Sequence, residues 1–317
     1  MSSGQKEKQR RLFDFYSANL VLYAPPELDD HFLCPLCFRK FSRPDIEAGL
    51  LSIEHIISEA LGGTLETLAC VECNNDGGTE IEAHITKQLK VRDQFRGLNE
   101  EPVRGRVEIG GHRFAADIKW SQDEKNAILM FGKRKASNLA SLNGASQALG
   151  EGAGPIKVEI SFGYREGRPE IALLRMGYLA MFRQFGYGYV LHRNLDIVRE
   201  QLQKPSERIV PNLTSGADDF TFDRVSPDEA AVVSILSTPY ERRSFVVYLR
   251  LISSGRPRHF AVALPGLDSG DDLYKRWEEA GAFKQRVTTT VIPYDPIFVS
   301  DLTFAGFPHY LWKKMTA

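Results

Sequence analysis

Cysteine is scarce in this chain: there are four among 317 residues, and all lie between positions 34 and 73. No window approaches the roughly 18 uninterrupted apolar residues that a membrane helix needs, so no membrane partner is expected. The amino terminus, MSSGQKEKQRRLFDF, is polar and then amphipathic, without the apolar run and small-residue cleavage site of a secretory signal. Together with cysteines in spaced pairs, this predicts a reducing cytoplasm and thiolates on metal rather than disulfides. A surplus of positive charge is missing too. The net charge of −1 excludes a uniformly cationic coat for nucleic acid but leaves local basic patches open. Several catalytic signatures are also absent. There is no H-E-x-x-H and no P-loop, and none of His31, His55 or His84 has the glutamate two residues later that a zinc deaminase requires.

What is present is concentrated. The four cysteines form two C-x-x-C pairs, Cys34/Cys37 and Cys70/Cys73. That spacing lets two thiolates reach one tetrahedral ion from a tight turn while a second turn supplies the other two, and zinc is the default ion for four thiolates. A site closed by four sulfurs has no open position, so the expected Zn²⁺ is structural and staples a segment too small to bury a core alone. With every cysteine committed to metal, a cysteine nucleophile is not expected.

A hydrophobic content of 43% and a charged content of 26% are those of an ordinary globular protein. The fold class read from patterning is α+β, divided into residues 1–100, which hold the cysteines, and a mixed α+β part over 101–317. Residues 5–18 read as a short helix and Leu50 to Ile57 as a strand, with a sharp turn at Gly62-Gly63. The recurrence of Ile81, Ile85 and Leu89 gives a helix leaving the second cysteine pair. Beyond residue 100, segments 103–109 and 112–120 alternate around Gly110-Gly111 as a β-hairpin would. Residues 136–154, small, polar and glycine-containing, read as a flexible loop. Glu170 to Phe185 is a strong helix by its apolar spacing, a second helix runs through Leu195 and Leu202, and strands follow near 230–236, 245–251 and 258–263.

Between the cysteine pairs stand Glu54-His55-Ile56-Ile57 and Leu61-Gly62-Gly63, and Cys70-x-x-Cys73 runs directly into Asn74. This combination resembles the HNH endonuclease family, and more narrowly its branch with flanking C-x-x-C pairs and an EHII(P)-x-x-LGG core. The resemblance covers roughly residues 32–90. It implies a zinc-stapled ββα-metal fold and hydrolysis of phosphodiester bonds in DNA, RNA not being excluded, with one catalytic Mg²⁺ or Mn²⁺. It implies His55 as the general base that activates water, and Glu54 and Asn74 as ligands of the divalent ion. His84 is a further candidate ligand and Asp76 an outer-shell carboxylate. Two departures stand out: Ser58 occupies the place of the proline that usually follows EHII, and the middle asparagine that orients the catalytic histidine has no clear counterpart before Cys70, where the chain reads TLETLA. Asn75 or a backbone carbonyl could take that task.

The chemistry needs such a set. Hydrolysing a phosphodiester takes a nucleophilic water, relief of phosphoryl charge and help for the departing oxygen; an imidazole supplies the first and a divalent ion the others. Candidate substrate-binding cations are Arg39, Lys40 and Arg43 beside the first cysteine pair; Lys133 to Lys135 and the cluster Arg256, Arg258 and His259 follow later. Restriction or phage defence is the biological setting suggested by family analogy, with residues 101–317 supplying specificity, regulation, a homo-oligomer contact or a partner-protein contact. The alternative function is a non-catalytic zinc module that binds nucleic acid or protein.

Overall fold

The computed structural model describes residues 3–98, 101–121, 127–130, 136–152, 154–160, 163–211, 214–217, 230–238, 242–269, 272–279 and 288–291. Sequence patterning divides the chain at residue 100; in space the contacts group residues 1–85 with 165–317 and set 86–164 apart. No helix among the described residues is long and apolar enough to cross a membrane.

The chain opens with α1 (Ser3–Leu20), whose Leu12, Phe13, Tyr16 and Leu20 share one stripe and are buried. Two short strands, β1 (His31–Leu33) and β2 (Lys40–Ser42), pair antiparallel around the first cysteine turn. In that turn Phe38 adopts φ 55°, Cys34 N–H donates to the Arg39 carbonyl and Phe38 N–H to the Cys34 carbonyl. Ser42 and Asp45 cap the short helix α2 (Arg43–Glu47) reciprocally. Next, β3 (Leu51–His55) pairs antiparallel with β4 (Glu66–Cys70), in the register Leu51↔Cys70 through His55↔Glu66. The intervening turn holds Gly62 at φ 78°, and Gly63 lies so close to the Ile57 carbonyl that a Cβ would sit 1.7 Å from it. From Cys70 the chain enters α3 (Val71–Asp76), a π-helical stretch Gly77–Glu82, and α4 (Ala83–Phe95). The expected strand, the Gly62-Gly63 turn and the helix beyond the second cysteine pair are present, and β4 adds a second strand between turn and helix.

Residues 86–164 form their own small unit. β5 (Val103–Ile109) and β6 (His112–Trp120) make a hairpin with a two-residue turn, Gly110 and Gly111, both at positive φ. That is the turn whose twist matches the strands. β7 (Ala127–Met130) adds beside β6. The expected flexible loop over 136–154 is instead a helix, α5 (Ala136–Gly150). β8 (Lys157–Ile160) completes an antiparallel sheet of order β7-β6-β5-β8. The small residues of α5 serve close approach rather than flexibility. A Cβ on Gly144 would lie 2.4 Å from the His112 ring, and Ala148 touches Gly110. Val107, Ile109, Phe114, Ala116 and Ile118 meet Ala145 in the core of this unit.

The remainder packs with residues 1–85. Helix α6 (Arg168–Phe185) is buried nearly all round, which marks a central helix. It ends at Gly186, φ 56°, and is followed by α7 (Tyr187–Val190) and α8 (Asp196–Gln203). The five-stranded antiparallel sheet comprises β9 (Thr214–Ala217), β10 (Ala231–Thr238), β11 (Ser244–Ser253), β12 (Arg256–Pro265) and, beyond α9 (Leu273–Glu279), β13 (Thr288–Val291), in the order β13-β10-β11-β12-β9. One flank of α6 lies on this sheet through Gly177 against Val262. The other lies on the N-terminal elements, where Phe182 stacks on Tyr16 with ring centroids 4.4 Å apart. The turn between β1 and β2 is held from this side as well: Tyr178 donates to the Pro35 carbonyl at 2.7 Å, Tyr187 bonds the Leu33 backbone at 2.5 and 2.9 Å, and Gln203 donates to the Leu36 carbonyl.

Candidate active site

The sulfur site forms as its spacing predicts. Cys34 and Cys37 come from the turn after β1, Cys70 from the end of β4 and Cys73 from the first turn of α3, and their four Sγ atoms lie within 4.8 Å of one another. That clustering is the donor set tetrahedral zinc requires. Arg39 serves it directly: Nε donates to Cys37 Sγ at 3.4 Å and Nη2 to Cys70 Sγ at 3.3 Å, while Nη1 pairs with Glu72 at 2.6 Å. A guanidinium against two sulfurs stabilises their thiolate form. Arg39 is thus taken up by the clip. Of its two companions as candidate substrate cations, Arg43 pairs with Asp14 of α1 and Lys40 is exposed on β2.

Beside the clip, β3 sends its neighbouring side chains to opposite faces. Glu54 points inward and is 2% exposed; the His55 side chain remains one-third exposed at the rim. Glu54 Oε1 accepts from Arg175 Nη1 at 2.7 Å, and the same Nη1 lies 2.5 Å from Glu82 Oε1. Arg175 Nη2 reaches the Cys73 carbonyl at 3.2 Å, so one guanidinium from α6 ties Glu54 and Glu82 to the second cysteine turn. Gly77 makes room for it, since a Cβ there would sit 2.4 Å from the guanidinium carbon. Two carboxyls share this one cation. Burial pushes the Glu82 carboxyl up to about 7, against the pull of Arg175 and reinforced by the charge of Glu54; Glu54 is raised as well, again chiefly by burial.

Asn74 stands on α3 with its Nδ2 donating to Ser52 Oγ at 2.9 Å and to the Ile53 carbonyl at 3.0 Å. These bonds tie α3 to β3 and leave Oδ1 as the amide's acceptor. His84 is directed elsewhere: its Nδ1 accepts the Arg165 backbone N–H at 3.1 Å. Asp76 is exposed at the end of α3. Lys133, Arg134 and Lys135 lie outside the described residues.

Residues 34–90 match the family model described as HNH endonuclease. This segment is an HNH domain. No curated protein and no solved structure matches the chain.

Two buried side-chain atoms on β3 of the HNH domain are left without a partner. Glu54 Oε2 is buried and has no hydrogen-bond partner, and so is His55 Nδ1. An orphaned carboxylate oxygen in a desolvated acidic pair is the kind of donor a hard cation satisfies. Glu54 Oε2 is thus an oxygen donor of the chemistry that Mg²⁺ or Mn²⁺ takes.

Three residues of the site went unnoticed in the sequence. Glu82 sits in the π-helical turn, a feature enriched at functional sites. Glu66 lies across from His55. Arg175 could have been found as a lone charge inside the apolar run IALLRMGYLAMF. Its partner Glu54 is 121 residues away, and no local pattern announces that pairing.

Proposed function

We infer that the chain is a metal-dependent HNH endonuclease that hydrolyses phosphodiester bonds in DNA, with His55 as its general base. The observation that carries this reading is His55 at the rim of a clip-braced hairpin, with its Nδ1 unpartnered and Nε2 turned toward Glu59 and Glu66 at 3.4 and 3.9 Å. A neutral imidazole with its N–H toward carboxylates keeps the lone pair on Nδ1, a buried nitrogen that would take a proton only from a water brought inside the site. Glu54 and Asn74 would hold Mg²⁺ or Mn²⁺. Such an ion, when bound, relieves phosphoryl charge and assists the departing oxygen. The four cysteines hold Zn²⁺ and fix the hairpin to α3, which keeps His55 and Asn74 in register. A role in restriction or phage defence belongs to the same reading by family analogy.

Supercoiled plasmid incubated with the zinc-loaded chain and Mg²⁺ or Mn²⁺ tests the proposal, with a labelled RNA of equal charge beside it. Nicking is expected with wild type and not with His55→Ala; equal nicking by both rejects the assignment. One observation favours a second reading, a non-catalytic zinc module for nucleic acid or protein: Glu54 is buried in an ion pair with Arg175. That reading predicts salt-sensitive binding without cleavage.

A further inference from the structure

The geometry points to Glu66 as the positioning residue of His55, filling the task for which this chain has no asparagine. The inference rests on the nuclease reading for its catalytic consequence, but its structural content can be tested alone. His55 and Glu66 are direct cross-strand partners in the β3–β4 ladder, so their side chains stand on one face. His55 Nε2 lies 3.9 Å from Glu66 Oε1. That exceeds a hydrogen bond, as catalytic contacts often do before substrate tightens them.

Glu66 is also the better held of the two carboxylates near the ring. Its side chain is 19% exposed; that of Glu59, which is 3.4 Å from Nε2, is 78% exposed on a single short turn. Water around Glu59 screens its charge and leaves its rotamers free. Glu66, by contrast, is fixed from two directions. Lys8 of α1 pairs with its other oxygen, Oε2, and Arg183 of α6 donates to its backbone carbonyl. Two helices outside the motif thus converge on this residue, and Oε1 is left for the imidazole.

A carboxylate so placed selects the Nε2–H tautomer and leaves the lone pair on Nδ1, the buried and orphaned nitrogen. Glutamine at this position would still accept from Nε2–H through its amide oxygen, whereas alanine would not.

The experiment uses the zinc-loaded full-length chain and histidine-ring NMR, with the His55 signal assigned by its loss in His55→Gln. Wild type should show His55 as the Nε2–H tautomer. Glu66→Ala should mix the tautomers, while Glu66→Gln and Glu59→Gln keep the wild-type pattern. In plasmid nicking, Glu66→Ala should lower kcat by about tenfold to a hundredfold with KM unchanged, and Glu66→Gln should recover most of that loss. An unchanged tautomer in Glu66→Ala overturns the proposal, as does an effect that follows Glu59 instead. If wild type shows the tautomer preference but never nicks, the nuclease reading fails and the positioning of His55 by Glu66 stands.

Discussion

Arg175 is the residue on which most of the site converges. Its guanidinium is 2% exposed and bonds Glu54, Glu82 and the Cys73 carbonyl. Removing one member of a buried ionic group leaves the others desolvated and unpaired, at a cost of about 3–5 kcal/mol. Arg175→Met is therefore expected to lose stability on that scale in urea denaturation of the zinc-loaded protein. Arg175→Lys should lose stability as well, because one ammonium cannot reproduce a planar fork that reaches two carboxylates and a carbonyl. A second residue-scale contrast comes from glycine. Gly63→Ala drives a methyl into the Ile57 carbonyl, while Gly78 has open space at the same distance. Thermal melting should fall steeply for the first and change by no more than about 1 kcal/mol in stability for the second.

At the scale of elements, the clip and α6 divide the work of holding the HNH domain. β1 and β2 are three residues each, and α3 is six, too short to bury a core of their own. Cys37→Ser is expected to bring the zinc content well below one ion per chain by elemental analysis, and to loosen the β1–β2 turn in hydrogen exchange. Helix α6 supplies apolar support. Truncating Phe182, fully buried against Tyr16 and edge-on to Tyr187, should cost about 3–5 kcal/mol. Within the stretch from β3 to α4, the strand at Leu50–Ile57, the glycine turn, the paired cysteines and the helical repeat were legible in the sequence because their signals are local. The hairpin around Gly110-Gly111 was legible for the same reason. Helix α5 was not, because small residues that allow a helix to approach a sheet closely are the same residues that make loops supple.

For the whole molecule, the HNH domain is braced by later elements. Carbonyls of Leu33, Pro35 and Leu36 are bonded by Tyr187, Tyr178 and Gln203, and Arg199 covers the Phe38 ring at 4.7 Å. Residues 86–164, by contrast, leave and rejoin at points held together by the 3.1 Å bond between His84 and Arg165. Replacing 86–164 with a short glycine-rich turn is expected to leave a folded, zinc-binding protein with a cooperative melting transition. A fragment ending at residue 100 should lack one. Circular dichroism and zinc content distinguish the two outcomes.

The chain's own order of residues determined the sulfur clip, the strand carrying Glu54 and His55, and the family to which residues 34–90 belong, because each is written within a few residues and depends on spacing alone. Tertiary structure alone decided that Glu54 and Glu82 share Arg175, that Glu66 faces His55, and that α6 forms part of the wall of the HNH domain. Those pairings join residues brought together only by strand register or by burial of a helix 93 or more positions away, and desolvation, which gives the ion pairs their force, does not exist until the core has closed.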